Sequence, residues 1–276
     1  MLFEFVIIEL REAKRTATIM KKTIITFLLF LLIIPMLALA GTSDPEKKKH
    51  NIDELAEYFE AKGYAFNDLL EDSRFKLIED ITGKFTRAVE IKIESFEDYQ
   101  NIIKYDIKKQ KLEDFLVKYA PELNAAQEKY GIPKHVIAGI IGIESEFGRY
   151  KGSYNPFNAY VSMYAEGYRS DWSKAQLEEL LIFAKKNDLD ILSLESSYAG
   201  AMSYAQFIPY SLNRWWVGSD LYFMPNNIFS VANYLAHFYE ITGSMEKAVM
   251  RYNPSTMYTK VVLELAEEAR KLEEAR

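Results

Sequence analysis

Tyr130-Gly131-Ile132-Pro133-Lys134-His135-Val136-Ile137-Ala138-Gly139-Ile140-Ile141-Gly142-Ile143-Glu144-Ser145 decides how the rest of the chain is read. Gly131 stops one helix and Pro133 starts the next, since glycine accepts the backbone of a helix end and proline is pre-set for a first turn. The helix that follows, Lys134 to about Phe147, is apolar nearly all round. A helix without a polar face is buried, and Gly139 and Gly142 permit close approach by a neighbour. Glu144 sits at its end, among Ile137, Ile140, Ile141 and Phe147. A carboxyl in apolar surroundings loses solvation of its charged form, so its pKa rises and it stays protonated near neutral pH as a general acid. The plain alternative is a helix-end glutamate turned to solvent. Glu146, two positions on, is rotated by about 200°. It is expected to point away from Glu144 and to pair with Arg149 or Lys151 on the surface.

Outward from this helix the pattern remains almost wholly helical. Asp44 to His50 reads as a charged linker, with Asn51 capping a helix that carries Ile52, Leu55, Ala56 and Phe59 and ends at Gly63. A second helix is expected over Asn67 to Ile81, and weak alternation from Gly83 to Glu94 predicts an extended segment. Ser95 opens a short helix, and the stripe from Leu112 to Tyr130 is expected to break near Pro121. Tyr160–Tyr164, Lys174–Lys186, Asn227–Tyr239, Met245–Tyr252 and Tyr258–Arg276 read as further helices, with a turn at Asn155-Pro156. Domain boundaries are expected at 40/41 and 110/111: a signal segment, a linker with an N-terminal helical extension, and a catalytic domain over 111–276.

Composition narrows the functional classes. With 49% hydrophobic and 27% charged residues in 276, the chain is neither disordered nor low-complexity. It has no cysteine, which removes disulfides and thiolate metal sites, and three scattered histidines argue against a His-based one. A net charge of −6 without a basic face excludes duplex nucleic acid as partner. Its 19 tyrosines suit either amphipathic packing or a cleft that stacks sugar rings and hydrogen-bonds their hydroxyls. Met20-Lys21-Lys22, the apolar run Phe27 to Ile34 and Ala38-Leu39-Ala40 form the n-region, h-region and A-x-A site of an export signal, with Met20 the expected start. An uncleaved anchor over Ile24 to Ala40, hence a membrane tether, is the alternative. Cleavage takes away five basic and three acidic groups and leaves −8.

Two more clusters stand out. In Ser196-Ser197-Tyr198-Ala199-Gly200-Ala201-Met202-Ser203-Tyr204-Ala205-Gln206-Phe207-Ile208-Pro209, small residues alternate with aromatics; Ser197 and Gln206 can hydrogen-bond a substrate, orient an acid, or merely close turns. Arg251-Tyr252-Asn253-Pro254-Ser255 is a helix-ending turn with an aromatic and an amide. Taken with Gly139 to Ser145 and Phe147-Gly148-Arg149, the string Ser197 to Met202 with Gln206 to Pro209, then Ser230-Val231-Ala232-Asn233-Tyr234 and Arg251-Tyr252-Asn253, resembles in order four motifs of lytic murein transglycosylases of the membrane-bound B type, over roughly 110–270.

The resemblance implies a mainly α, lysozyme-like domain around a long sugar-binding cleft that takes peptidoglycan glycan strands, in an exported protein of the periplasm or cell envelope. It implies that Glu144 is the acid and that the muramoyl 6-hydroxyl closes onto C1 as a 1,6-anhydro ring. Ser197 and Gln206 would hold the substrate or the acid, and Tyr252, Asn253 and Tyr234 would line the cleft. A hydrolytic muramidase and a non-catalytic cell-wall-binding protein are the competing readings. Asp190, Glu195 or Asp220 could fold into the cleft as a second carboxylate. Where family members carry an acidic calcium-type loop, this chain has Trp215-Trp216-Val217-Gly218-Ser219-Asp220-Leu221-Tyr222 with one acidic residue. That implies no calcium site and no cofactor. The segment between Tyr234 and Tyr252 is short, so an inserted subdomain is expected to be missing.

Overall fold

The computed structural model describes residues 44–90 and 95–275. The export signal or anchor, with its cleavage site, and the end of the expected extended segment lie outside them. Among the described residues thirteen α-helices follow one another: α1 Pro45–Ala61, α2 Phe66–Glu71, α3 Ile81–Glu90, α4 Phe96–Ile102, α5 Tyr105–Lys118, α6 Ala120–Tyr130, α7 Lys134–Ser145, α8 Pro156–Ala165, α9 Ser170–Lys186, α10 Pro209–Trp215, α11 Met224–Thr242, α12 Met245–Tyr252 and α13 Thr256–Glu274. Extended backbone among them is limited to isolated bridges. None of these helices is long and apolar enough to cross a membrane.

The apolar helix α7 lies at the centre. Val136 to Gly142 are all buried, and α5, α6, α11 and α13 pack around it. Removing an isoleucine such as Ile137 or Ile140 from water contributes about 1.5–3 kcal/mol. Its glycines set how close α13 comes: a β-carbon on Gly139 would stand 2.8 Å from the Val262 carbonyl oxygen, and one on Gly142 2.8 Å from the Leu265 side chain. Gly131 ends α6 at φ 68°, and Pro133 takes the N-cap of α7, one position before the first turn. The expected break near Pro121 is present: Tyr119 leaves helical geometry, and Pro121 sits in the first turn of α6.

Three readings near the N-terminus are corrected. The charged linker is the start of α1, capped by Asp44, which accepts from the Glu46 N–H at 3.0 Å. Lysines 47–49 are good helix formers, and Lys48 reaches Glu166 at 2.9 Å. Asn51 is therefore mid-helix and donates to the Ala165 carbonyl across the interface with α8. The helix expected over Asn67 to Ile81 breaks after Glu71. Asp72 accepts from the Arg74 N–H at 2.9 Å, and the following backbone bonds to α8 instead, Ile78 N–H to Ser162 Oγ at 2.8 Å. The alternation from Gly83 onward belongs to helix α3 as far as Glu90, because Ile81 and Phe85, four apart, are both buried. The 110/111 boundary falls inside α5, and one apolar cluster runs from Leu55 in α1 to Ala269 in α13.

Candidate active site

Glu144 occupies the last turn of α7, partly exposed. Its Oε1 accepts a hydrogen bond from the Tyr258 hydroxyl at 2.7 Å. Tyr258 stands in the first turn of α13, 2% exposed, and Ser255 caps that turn. Burial lifts the Glu144 carboxyl above its ordinary range; the Tyr258 bond and the charge of Lys108 pull partly the other way. The Tyr258 phenol is itself raised well above normal by burial and by Glu144. Tyr99, half-buried and facing the same charge, is pushed up to about 12. Lys108, 6% exposed on α5, is lowered by burial against the attraction of Glu146 and Glu144.

A small pocket of about 20 Å³ opens beside the acid, lined by Glu144, Gln206, Phe207, Ile208, Ser211, Tyr234 and Tyr252. Its far wall is the small-residue segment. Ser196 bridges to Tyr154 and to Met202, and Met202 pairs with Phe207 through two hydrogen bonds of 2.8 Å. Between them the chain turns so tightly that Ser203 and Gln206 take left-handed backbone, φ 67° and 52°. Each such non-glycine residue costs about 1–3 kcal/mol and persists where its surroundings over-determine it. Here Tyr252 donates to the Ala205 carbonyl at 2.5 Å, Asn227 accepts from the Ala205 N–H at 3.0 Å, and the Gln206 amide donates to the Ser203 carbonyl at 2.9 Å.

The structure therefore brings Glu144, Gln206, Tyr234 and Tyr252 together. The Tyr234 and Tyr252 rings meet at 4.8 Å, and the Tyr234 hydroxyl donates to the Arg251 carbonyl at 2.6 Å. Ser197 is not part of the lining; its hydroxyl accepts from the Ala201 N–H at 3.3 Å across a turn. Asn253 caps the end of α12, also outside the lining, with its side-chain oxygen buried and unpartnered. Glu146 corrects the expectation of a surface ion pair. It is 3% exposed and held by Lys111 of α5 as well as by Arg149, 2.8 Å away. Lys151 pairs with Glu195 instead.

The candidate second carboxylates go elsewhere. Asp190 bonds Arg74, Glu195 meets Lys151, and Asp220 accepts from the Tyr222 N–H at 2.8 Å inside its own loop. That loop is further tied by Asn226, which donates to the Asp220 carbonyl, and by Tyr222, whose hydroxyl donates to the Glu195 carbonyl at 2.7 Å. Among the described residues, Glu144 is the only acid lining the pocket.

Sequence reasoning missed Tyr258, Tyr99, Lys108 and Ser211. Tyr258 heads the regular stripe Val261, Val262, Leu265, and nothing in that spacing separates a packing tyrosine from one that bonds an acid.

The chain is similar to known proteins in both sequence and fold. A family model described as the transglycosylase SLT domain matches residues 45–244. The membrane-bound lytic murein transglycosylase B of Escherichia coli (strain K12) is 35% identical over 127 residues, which cover 44% of this chain; the chain spans only 35% of that relative's length. The soluble lytic transglycosylase SltB1 of Pseudomonas aeruginosa superposes with a TM-score of 0.72 at 24% identity, over 82% of this chain and 99% of that one. SltB3 of the same organism, solved with NAG-NAM-pentapeptide, superposes with a TM-score of 0.71 at 18% identity, over 83% and 80%. Since the family model spans most of the chain, including the acid on α7 and the turn that faces it, this protein belongs to the transglycosylase SLT family.

Proposed function

We propose that this protein is a peptidoglycan lytic transglycosylase that cleaves the β-1,4 bond between N-acetylmuramic acid and N-acetylglucosamine. The observation that carries the reading is the solitary acid: among the described residues Glu144, raised by burial, is the one carboxyl lining a pocket walled by aromatic and amide side chains. Ordinary retaining and inverting glycosidases use two carboxyls, about 5–5.5 or 6.5–9.5 Å apart. With one, the group that attacks C1 comes from the substrate itself.

In the first step Glu144 gives its proton to the glycosidic oxygen as the bond from that oxygen to C1 of the muramoyl residue breaks. The resulting carboxylate is held by the Tyr258 hydroxyl. In the second step the muramoyl 6-hydroxyl forms its bond to C1 and returns its proton to Glu144. No water is consumed and the acid is regenerated. A tethered hydroxyl near C1 has an effective concentration far above that of a free reactant. Gln206, Tyr234 and Tyr252 shape the wall against which the reacting sugar sits. Ser197 acts by closing the turn behind Gln206. Export follows from the segment Met20 to Ala40; Edman sequencing of the exported protein is expected to begin at Gly41, and a full-length, detergent-requiring form as the only species favours the tether.

Digestion of peptidoglycan in heavy-oxygen water tests the chemistry. Fragments are expected to end in 1,6-anhydromuramic acid, one water lighter than hydrolysis products and free of label. Labelled reducing ends make the protein a muramidase, and intact strands make it a binding protein.

A further inference from the structure

Position 146 breaks three local rules at once. It places a carboxylate at a helix C-terminus, where the helix dipole favours a cation. It puts a β-carbon on left-handed backbone, φ 51°, where glycine or asparagine is the ordinary choice. And it buries a formal charge to 3% exposure. Phe147 and Gly148 continue the left-handed run at 61° and 90°. Side chains hold this turn from several directions. Lys111 and Arg149 both bond the Glu146 carboxylate, the Phe147 ring packs on Phe115 with centroids 4.8 Å apart, and the Gly148 N–H donates to Ser145 Oγ at 3.0 Å. Backbone strain alone is relieved by glycine at this position. Rules broken together, next to a reacting group, point to a functional reason.

We propose that Glu146 is a positioning residue: its carboxylate, clamped by Lys111 of α5 and Arg149 of the return turn, locks the last turn of α7 so that Glu144 meets Tyr258 and the pocket in one orientation. The proposal rests on Glu144 being the acid. The last carbonyls of a helix have no partners within it and its end frays unless tied. Glu144 stands one residue inside that end, and Lys111 is the cross-link from Glu146 to the neighbouring helix. A reacting group displaced by about 1 Å can lose about 10²-fold in rate.

The test compares Glu146→Asn, Glu146→Gly and Lys111→Met with the unaltered protein on a soluble, uncrosslinked glycan strand. Glutamine would keep the backbone strain, whereas asparagine and glycine suit the left-handed backbone, so both are expected to fold and keep their Tm within a few degrees. Lys111→Met leaves Arg149 on the carboxylate and supplies a folded variant if the others fail. Far below the Tm, kcat is expected to fall about tenfold with KM within twofold. Glu146→Asn combined with Lys111→Met is expected to lose no more than the worse single variant, because both break one clamp. Unchanged kcat in folded variants overturns the proposal, as does a rise in KM at constant kcat, which would make the site a glycan contact. Glu144→Gln measured alongside keeps the two readings apart: if it remains active, the acid assignment fails; if it is dead while the Glu146 variants are fully active, only the clamp fails.

Discussion

Glu144 and Glu146 leave the same helix two residues apart, one with a tyrosine hydroxyl on its carboxylate and the other between two cations. Burial raises the first. For the second, burial also works against the charge, but the bonds from Lys111 and Arg149 overcome it and hold the carboxyl below its ordinary range. Two carboxyls of the same type and nearly the same sequence position are thus set to opposite states by their partners, as when neighbouring acids divide an acid role and a charged role. Surface exposure alone does not decide the state. Glu146 is only 3% exposed, yet its ion pairs keep it charged, while Glu144, partly exposed as a residue, has its carboxyl more densely surrounded by protein and a neutral partner.

The sharpest way to break this contrast is Glu144→Gln. The amide is nearly isosteric, so the fold is expected to persist, while activity on peptidoglycan falls by about 10²–10⁴-fold or more, since the acid proton and the returning base are lost together. Equal loss in a folded Glu144→Gln and in Glu146→Gln would erase the difference between the two. Next comes Tyr258→Phe. Removing a hydroxyl that favours the carboxylate is expected to raise the Glu144 pKa further, moving the alkaline limb of the kcat profile to higher pH, and to slow the reaction about tenfold, as one hydrogen bond of ~1.5 kcal/mol to a charged group implies. A profile that stays in place removes Tyr258 from the site.

The third prediction concerns stability and carries opposite signs at the two positions. A carboxyl whose folded pKa is raised supports the fold while protonated, and that support disappears as pH rises through the folded value. Glu144→Gln is therefore expected to raise the Tm at pH 8 by about 2–4 °C, the shift for ~1 kcal/mol in a chain of this size, and to change little at pH 4. For Glu146 the pKa is lowered, so its support is present above the unfolded value and lost as pH falls through the folded one. Glu146→Gln is expected to lower the Tm at pH 8 and to lose that penalty on acidification. Differential scanning calorimetry of both variants across this range reads the crossover; parallel curves would deny it. The smallest effect is expected at Ser197→Ala, which removes a turn bond of ~1 kcal/mol outside the pocket lining and should leave kcat within a few-fold of the parent.

Much of the architecture was legible because helical periodicity is local. The apolar girth of α7, the stop at Gly131, the break near Pro121 and the helix start at Ser95 each depend on residues within a turn or two, and each is present. The failures near the N-terminus have the opposite cause. Asp44 instead of Asn51 caps α1, and residues 72–80 leave the helix because Ser162 and Asp190, distant in sequence, bind that segment. The site divides in the same way. Glu144, Gln206, Tyr234 and Tyr252 were found as members of motifs, and they share one pocket. Ser197 and Asn253 lie beside it in the chain but not in its lining.

The sequence by itself determined that the chain is a helical bundle around one glycine-bearing apolar helix with a glutamate at its end, since burial of an all-apolar helix follows from composition and period alone. Only the tertiary structure decided which glutamate is raised and which is held charged. That choice depends on Tyr258, 114 residues from Glu144 along the chain, and on Lys111, 35 residues from Glu146. The electrostatic state of a carboxyl is set within about 4–6 Å, by whichever residues folding brings there.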